Sequence, residues 1–110
     1  MTQVHGTAEV DGSTLVVFTV PADHKYEVLS ISLSQNSNAI NRFRILYKPA
    51  SGSSWDLMRE ETTAATYARI YDFSALCFLP TDQLHLNCTD TVGAATWSWF
   101  VTYMDVDLTP

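Results

Sequence analysis

The histidines, cysteines and carboxylates are where this chain could do chemistry, and their spacing limits what that chemistry could be. His5, His24 and His85 have no second histidine at strand or helix spacing, so no element presents a two-histidine metal site. His85 and Cys88 are three residues apart and on a strand would point to opposite faces. No metal and no cofactor are expected. Glu60 and Glu61 are adjacent, which on a strand sends them to opposite faces and does not arrange a glycosidase carboxylate pair. There is no nucleophile elbow, zinc-protease helix or phosphate-cradling glycine loop, and the chain has only 4 glycines with which to bring backbone close to a phosphate. The expectation is a protein that is not an enzyme.

Three further constellations each admit two or more readings. Asp105 and Asp107 fall on one strand face, about 7 Å apart. They read as a solvated edge that discourages strand addition, as partners for a neighbouring subunit's Arg or Lys, or as part of a calcium shell. Tyr47, Trp55, Tyr67 and Tyr71 could form a stacking platform for a glycan, or could fill a core or an interface. If "ALCFLPTDQLHLNC" is a tight hairpin centred between Asp82 and Gln83, Cys77 lies opposite Cys88. Thiols so placed would bond only in strained geometry, and a reducing compartment would keep them free.

These side chains must be carried by strands. Period-2 alternation dominates the chain and helical periodicity is nearly absent. Val4, Gly6, Ala8 and Val10 alternate, and Asp11-Gly12 then supplies a hairpin signal. "TLVVFTV" follows and stops at Pro21. "KYEVLSISLS" sets Leu29, Ile31 and Leu33 against serines, and "RFRILYK" sets Phe43, Ile45 and Tyr47 against Arg42, Arg44 and Lys48. "QNSNAIN" reads as a loop, and "PASGSS" turns the chain into "WDLMRE". Alanines in "ETTAATYARIYDF" permit a helix, but its threonines and tyrosines favour a strand. With "QLHLNC" and the closing stretch the chain offers about eight short strands. The fold class expected is all-β: an antiparallel, jelly-roll-like sandwich forming a single domain over residues 1–110. "VPADHKYEV" and "LPTDQLHL" echo each other, either as two similar turns or as a pseudo-symmetric pair of turns leading into strands.

The closing stretch, "TWSWFVTYMDVDLTP", changes its greasy side partway along. Trp97, Trp99, Val101 and Tyr103 share one face, which then carries Asp105 and Asp107. The other face closes with Met104, Val106 and Leu108. Either a β-bulge returns these apolar side chains to the same core, or they meet another surface. Burying that Met, Val and Leu against a neighbour would contribute on the order of 5 kcal/mol before association costs.

From Val20 onward the stretches "VPADHKYEVLSISLS", "ILYKPASGSSWDLM", "LPTDQLHL" and "VTYMDVDL" resemble small accessory structural proteins of tailed phages. In that pattern a Pro-small-Gly turn leads into a Ser-rich strand, a hairpin and a second such turn follow, and the end is an acidic strand. Both turn glycines of the pattern are aspartates here, Asp23 and Asp82, residues that also tolerate a left-handed turn. The resemblance implies a jelly-roll virion component without chemistry, often trimeric, that decorates or cements a capsid or sits on the tail apparatus. Its partners would be copies of itself, as a homo-oligomeric trimer, and phage capsid or tail proteins. The residues for such an interface are Phe100, Met104, Val106 and Leu108. The alternative is a tail, fibre or spike module that binds a host-surface glycan through the aromatic set.

Composition is compatible with both roles and excludes others. Hydrophobic residues make up 46% and charged residues 16%, enough apolar content to fold and too much for a disordered tail. Lys and Arg number 6 against 12 Asp and Glu, for a net charge of −6 that repels phosphate backbones, so no nucleic acid is expected as a partner. Arg42, Arg44 and Lys48 read as a solvated face. No apolar run reaches the ~20 residues that span a bilayer, so no membrane is expected. "MTQVHGTAEV" does not have the pattern of a signal peptide, and assembly in a host cytoplasm into a virion is expected. Asn87-Cys88-Thr89 matches a glycosylation triplet by chance on that reading.

Overall fold

In the computed structural model the described residues are 2–9, 14–36, 41–62, 66–90 and 96–110, with side chains described at 3–4, 15–34, 43–58, 70–87 and 98–110. They form strands only: β1 (Thr2–Glu9), β2 (Thr14–Thr19), β3 (His24–Asn36), β4 (Asn41–Lys48), β5 (Trp55–Thr62), β6 (Thr66–Phe78), β7 (Gln83–Asp90) and β8 (Thr96–Asp107). The ambiguous "ETTAATYARIYDF" is strand where it is described. Its first residues end β5, and from Thr66 it runs without a break through "SALCF" as the 13-residue β6.

Two four-stranded antiparallel sheets result, ordered β1-β8-β3-β6 and β2-β7-β4-β5. The first strand pairs with the last, the second with the second-last, the third with the third-last, and the middle two with each other. Pairings β3–β8 and β4–β7 then roll this ribbon into two layers. This is the jelly roll expected from the alternation. Consecutive strands change sheet at every connection except β4–β5, the one hairpin among the described strands.

That topology corrects two local expectations. β1 and β2 lie in different sheets, so the strands flanking Asp11-Gly12 are not a hairpin, and the dipeptide itself lies outside the described residues. β6 and β7 also lie in different sheets. Cys77 is opposite Glu27 and Cys88 is opposite Phe43, so the two cysteines are not register partners. Asp, Gly and Pro favour any tight reversal, whether it closes a hairpin or crosses between layers, and local composition does not separate the two.

Alternating side chains of both sheets meet in one core: Val20, Tyr26, Val28, Ile31, Leu33, Phe43, Ile45, Phe78, Leu84, Leu86, Val101 and Tyr103. Val101 and Tyr103 are buried and Trp99 packs against the cluster, as the closing strand required; the Trp97 side chain lies outside the described residues. Across the β1–β8 pair Gly6 opposes Trp99 and Ala8 opposes Trp97, small against large. The bulge offered for β8 is in its neighbour instead. β3 carries one extra residue, Leu29, between Val28 and Ser30. The shift removes Leu29 from the alternation it was expected to share with Ile31 and Leu33, and puts Tyr26 and Val28 inward instead. On the β6 side the same irregularity holds Ala75 at φ 58.

At the end of the sandwich where β2, β4, β6 and β8 finish, the turns are stitched together. Val20 N–H donates to Asp82 O (2.9 Å), Thr81 N–H to Val20 O (2.9 Å) and Asp82 N–H to Leu79 O (3.0 Å). The last bond closes a turn with Pro80 second and Thr81 third. Thr81 takes φ 68, the conformation that the third position of a type II turn demands. The echoing turn closes one residue later, His24 N–H to Pro21 O at 3.1 Å, and Asp23 does not have positive φ. Neither aspartate therefore stands in for a left-handed glycine, which corrects the reading of Asp23 and Asp82 drawn from the phage-protein pattern.

A paired substitution tests this placement. Thr81→Gly is expected to stabilise the fold by about 1 kcal/mol, because a β-branched residue leaves the left-handed region. Asp82→Gly is expected to destabilise it by about 3 kcal/mol, through loss of a buried acceptor. Urea unfolding of both variants measures the difference, and the opposite ranking would contradict the turn geometry.

Candidate functional site

Asp82 is buried, and its carboxylate is the acceptor at the centre of the stitched end. Tyr47 O–H donates to Oδ2 in a short hydrogen bond, Leu79 N–H donates to the same oxygen (2.9 Å), and Ala50 N–H donates to Oδ1 (3.0 Å). One side chain thus ties the β6–β7 turn to β4 and to the β4–β5 hairpin. Its hydrogen bond, with burial added, pushes the Tyr47 hydroxyl up to about 12. Beneath lies an aromatic plug. Phe18 meets Tyr26, Phe78 and Tyr103 at 5.0, 5.3 and 5.4 Å, and Tyr26 stacks on Tyr103 at 4.4 Å. Burial, then the neighbouring Tyr103, pushes Tyr26 up to about 12 as well. Local sequence gave no sign of this hub, because an Asp after Pro-Thr reads as an ordinary turn residue.

The last part of β8 reaches past this plug. Its inner face continues from Tyr103 to Asp105 and Asp107, opposite Tyr26 and His24 of β3. His24 Nδ1 donates to Asp105 Oδ1 at 2.6 Å, so this histidine, which begins β3, is half-buried in an ion pair. That bond raises its pKa above the ordinary value, and the charges of Asp105, Asp107 and Asp23 act in the same direction. Asp107 Oδ1 accepts from Thr109 N–H (2.9 Å) and Oγ1–H (2.6 Å), which lowers its own pKa. Leu108 N–H donates to Asp23 O (2.8 Å) and anchors the tail beside β3. Among the described residues no three metal-ligating side chains converge.

The opposite face of the same stretch is apolar and turned away from the core. Met104 is 45% and Leu108 48% exposed, and Val106 is half-buried. Phe100, also half-buried, continues this face one turn of the pleat beyond Thr102. Across Ser32 of β3 it looks towards Ile70 of β6, which is 71% exposed and was not singled out from the sequence. The ion pair Lys25–Glu27 (3.3 Å) borders the Met104–Val106 stretch on the β3 side. Cys77, a free and exposed thiol, lies on the same outer face opposite Glu27.

The aromatic set is divided between the two layers. Tyr47 and Trp55 are register partners on β4 and β5, while Tyr71 sits on β6. Tyr47 and Tyr71 are partly buried against the core, and Trp55 is 68% exposed. The side chains of Tyr67 and His5 lie outside the described residues. His85 points to the outer face of its sheet, donates from Nε2 to Gln83 Oε1 (2.8 Å), and is held below the ordinary histidine value by burial and by Lys48. Of the basic strip, Arg44 is paired with Asp56 (2.8 Å), and Lys48 Nζ donates to Pro49 O (3.1 Å) and Gly52 O (2.7 Å). Asn87 is buried, which keeps it from serving as a glycan acceptor in the folded protein.

No protein-family model matches the chain. No curated protein matches it. Two solved structures of infectious bursal disease virus contain similar chains. That of the Gt strain is 12% identical over 97% of this chain, with a TM-score of 0.40. That of the Gx strain is 11% identical over 93%, with a TM-score of 0.41. The chain spans about a third of the length of those chains, 31% and 29%.

The His24–Asp105 pair gives a signed pH dependence. Because the folded imidazole titrates above the unfolded one, the pair stabilises fully below the unfolded pKa of about 6.5 and stops doing so as pH rises through the folded value. Asp105→Asn should therefore lower the urea midpoint more at about pH 5.5 than at about pH 9. In an NMR titration it should also return His24 towards its ordinary value. A pH-independent difference would show that the pair does not form in solution.

Proposed function

We propose that this protein is a structural component of a phage virion, a single β-sandwich domain over residues 1–110 that decorates or cements a capsid as a trimer. It works through protein–protein contacts, without catalysis and without a cofactor. It is made and assembled in the host cytoplasm. The observation that carries this reading is the outer face of β8, where Met104 and Leu108 stand exposed beside Val106 and Phe100 on a strand whose other face is core and aspartate. A rigid two-layer body with an apolar strip on one outer face suits a part that neighbouring proteins cover. The turn and strand signatures shared with small accessory proteins of tailed phages support the same role. Each copy would add buried area between shell subunits rather than a reaction.

A second reading keeps the virion but moves the protein to a tail, fibre or spike that binds a host-surface glycan. The exposed Trp55 favours it, since an uncovered indole suits stacking on a sugar ring. Tyr47 and Tyr71, packed against the core, add little exposed surface to it.

Two measurements separate these roles. Light scattering should give a mass near three times 12.3 kDa, and particles carrying the protein should resist heat better than particles stripped of it. Met104→Asp/Leu108→Asp, on side chains already exposed, should leave the fold intact and weaken attachment to particles by roughly tenfold or more. Unchanged particle stability on removal would overturn cementing. Glycan-array binding lost in Trp55→Ala would favour the second reading.

A further inference from the structure

Burial along β8 stops abruptly. Val101, Thr102 and Tyr103 are buried, whereas Met104, Asp105, Asp107, Leu108 and Thr109 are exposed and Val106 is half-buried. Apolar packing therefore holds the strand as far as Tyr103 and contributes little beyond it. Past that point the described contacts with β3 and its turn are polar. They are the ladder from Tyr26 opposite Asp105 to His24 opposite Asp107, the His24–Asp105 ion pair, and the Leu108 N–H bond to Asp23 O. Segments with few buried apolar contacts open locally, at a free energy below that of global unfolding. We propose that His24 is a pH-operated latch: protonated, it holds Asp105–Thr109 along the start of β3, and neutral, it lets this segment detach while the sandwich stays folded.

The charges around the imidazole give the latch its direction. Asp105 and Asp107 act on it from β8, and Asp23 acts from the β2–β3 turn. Tyr26 and Tyr103 stack beneath, and Tyr26, pushed up to about 12, stays neutral across the range in which a histidine titrates. On the opposite face of β3, Lys25 is paired with Glu27 (3.3 Å). Asp82, further in at the same end, is held by Tyr47, Leu79 and Ala50. Among the described residues, the imidazolium is thus the cation that Asp23, Asp105 and Asp107 share. When it loses its proton, three like charges remain, and detachment moves two of them away from the third.

The sign follows from linkage. His24 titrates higher with the segment docked than with it detached, chiefly through its bond to Asp105. Docking is therefore fully supported below about pH 6.5 and loses that support as pH rises through the docked value. Asp107 does not oppose release, because its partner Thr109 lies on the same stretch and moves with it. Detachment takes Val106 and Leu108 out of line with Met104 and Phe100, and so dissolves half of the outer apolar strip. Where that strip is a contact surface, attachment inherits the same pH dependence; this consequence rests on the function proposed above, and the latch does not.

Amide exchange of the isolated protein tests the latch, read by NMR between about pH 5.5 and about pH 9 and corrected for the pH dependence of the unprotected rate. Leu108 reports the segment, and Val101 reports the body of β8. Leu108 should exchange well before Val101 and, unlike it, should not respond to dilute urea, the mark of an opening that exposes little surface. Its protection should fall roughly threefold as pH rises, the scale of a partly exposed ion pair, with a midpoint at the His24 titration. His24→Gln and Asp105→Asn should each abolish that fall. Constant protection in the unmodified protein, exchange of Leu108 in step with Val101 at every pH, or a fall that persists in His24→Gln would overturn the proposal. The measurement needs no particle, so it succeeds or fails independently of whether the strip attaches the protein to one.

Discussion

A chain whose strands pair as a rolled ribbon crosses between its two layers at nearly every connection, and something must hold those crossings down. Here a buried carboxylate does so at the described end. Asp82 accepts from Tyr47, Ala50 and Leu79, so one side chain fastens the β6–β7 crossing to the β4–β5 hairpin. The Val20–Asp82 and Thr81–Val20 backbone bonds add the β2–β3 crossing. A buried acceptor is tolerated only when its oxygens are satisfied, and a peptide N–H or hydroxyl left facing a lost partner carries the full desolvation cost. The network is therefore cooperative: three segments far apart in sequence keep their positions together or lose them together. Its alkaline limit has a definite sign. Tyr47 titrates higher folded than unfolded, so its contribution is complete below about pH 10 and declines as pH rises towards its folded value of about 12.

Fixing this end also fixes what extends beyond it. The aromatic plug of Phe18, Tyr26, Phe78 and Tyr103 fills the last of the space between the layers. Past Tyr103 the inward positions of β8 are Asp105 and Asp107, both exposed. The residues are polar where the sandwich ends. The outward positions obey no such rule, since Met104 and Val106 are apolar beside the outward Glu27 and Lys25 of β3, and serines face out further along that strand. Water can cover serine at low cost but gains nothing from methionine or leucine. The strip is thus a feature that internal packing does not account for, whereas the aspartates are one that it does.

The layers, the strand count and the core were legible from alternation because burial imposes period 2 on each strand independently of its neighbours. Alternation puts Val101 and Tyr103 in the core, where they are buried, and leaves Met104 and Leu108 open between that core and another surface. What failed were statements that depend on how one segment meets another. Cys77 and Cys88 were placed opposite each other by assuming that a turn closes a hairpin, but this turn crosses layers. Leu29 was placed with Ile31 and Leu33, but an extra residue in β3, visible only against the unbroken β8, changes the count. Asp82 was assigned a backbone role by its position after Pro80 and Thr81, whereas its carboxylate does the work and Thr81 takes the strained dihedral. Two of the three donors to Asp82, Tyr47 and Ala50, come from some thirty positions away, so no local window contains the whole reason for it.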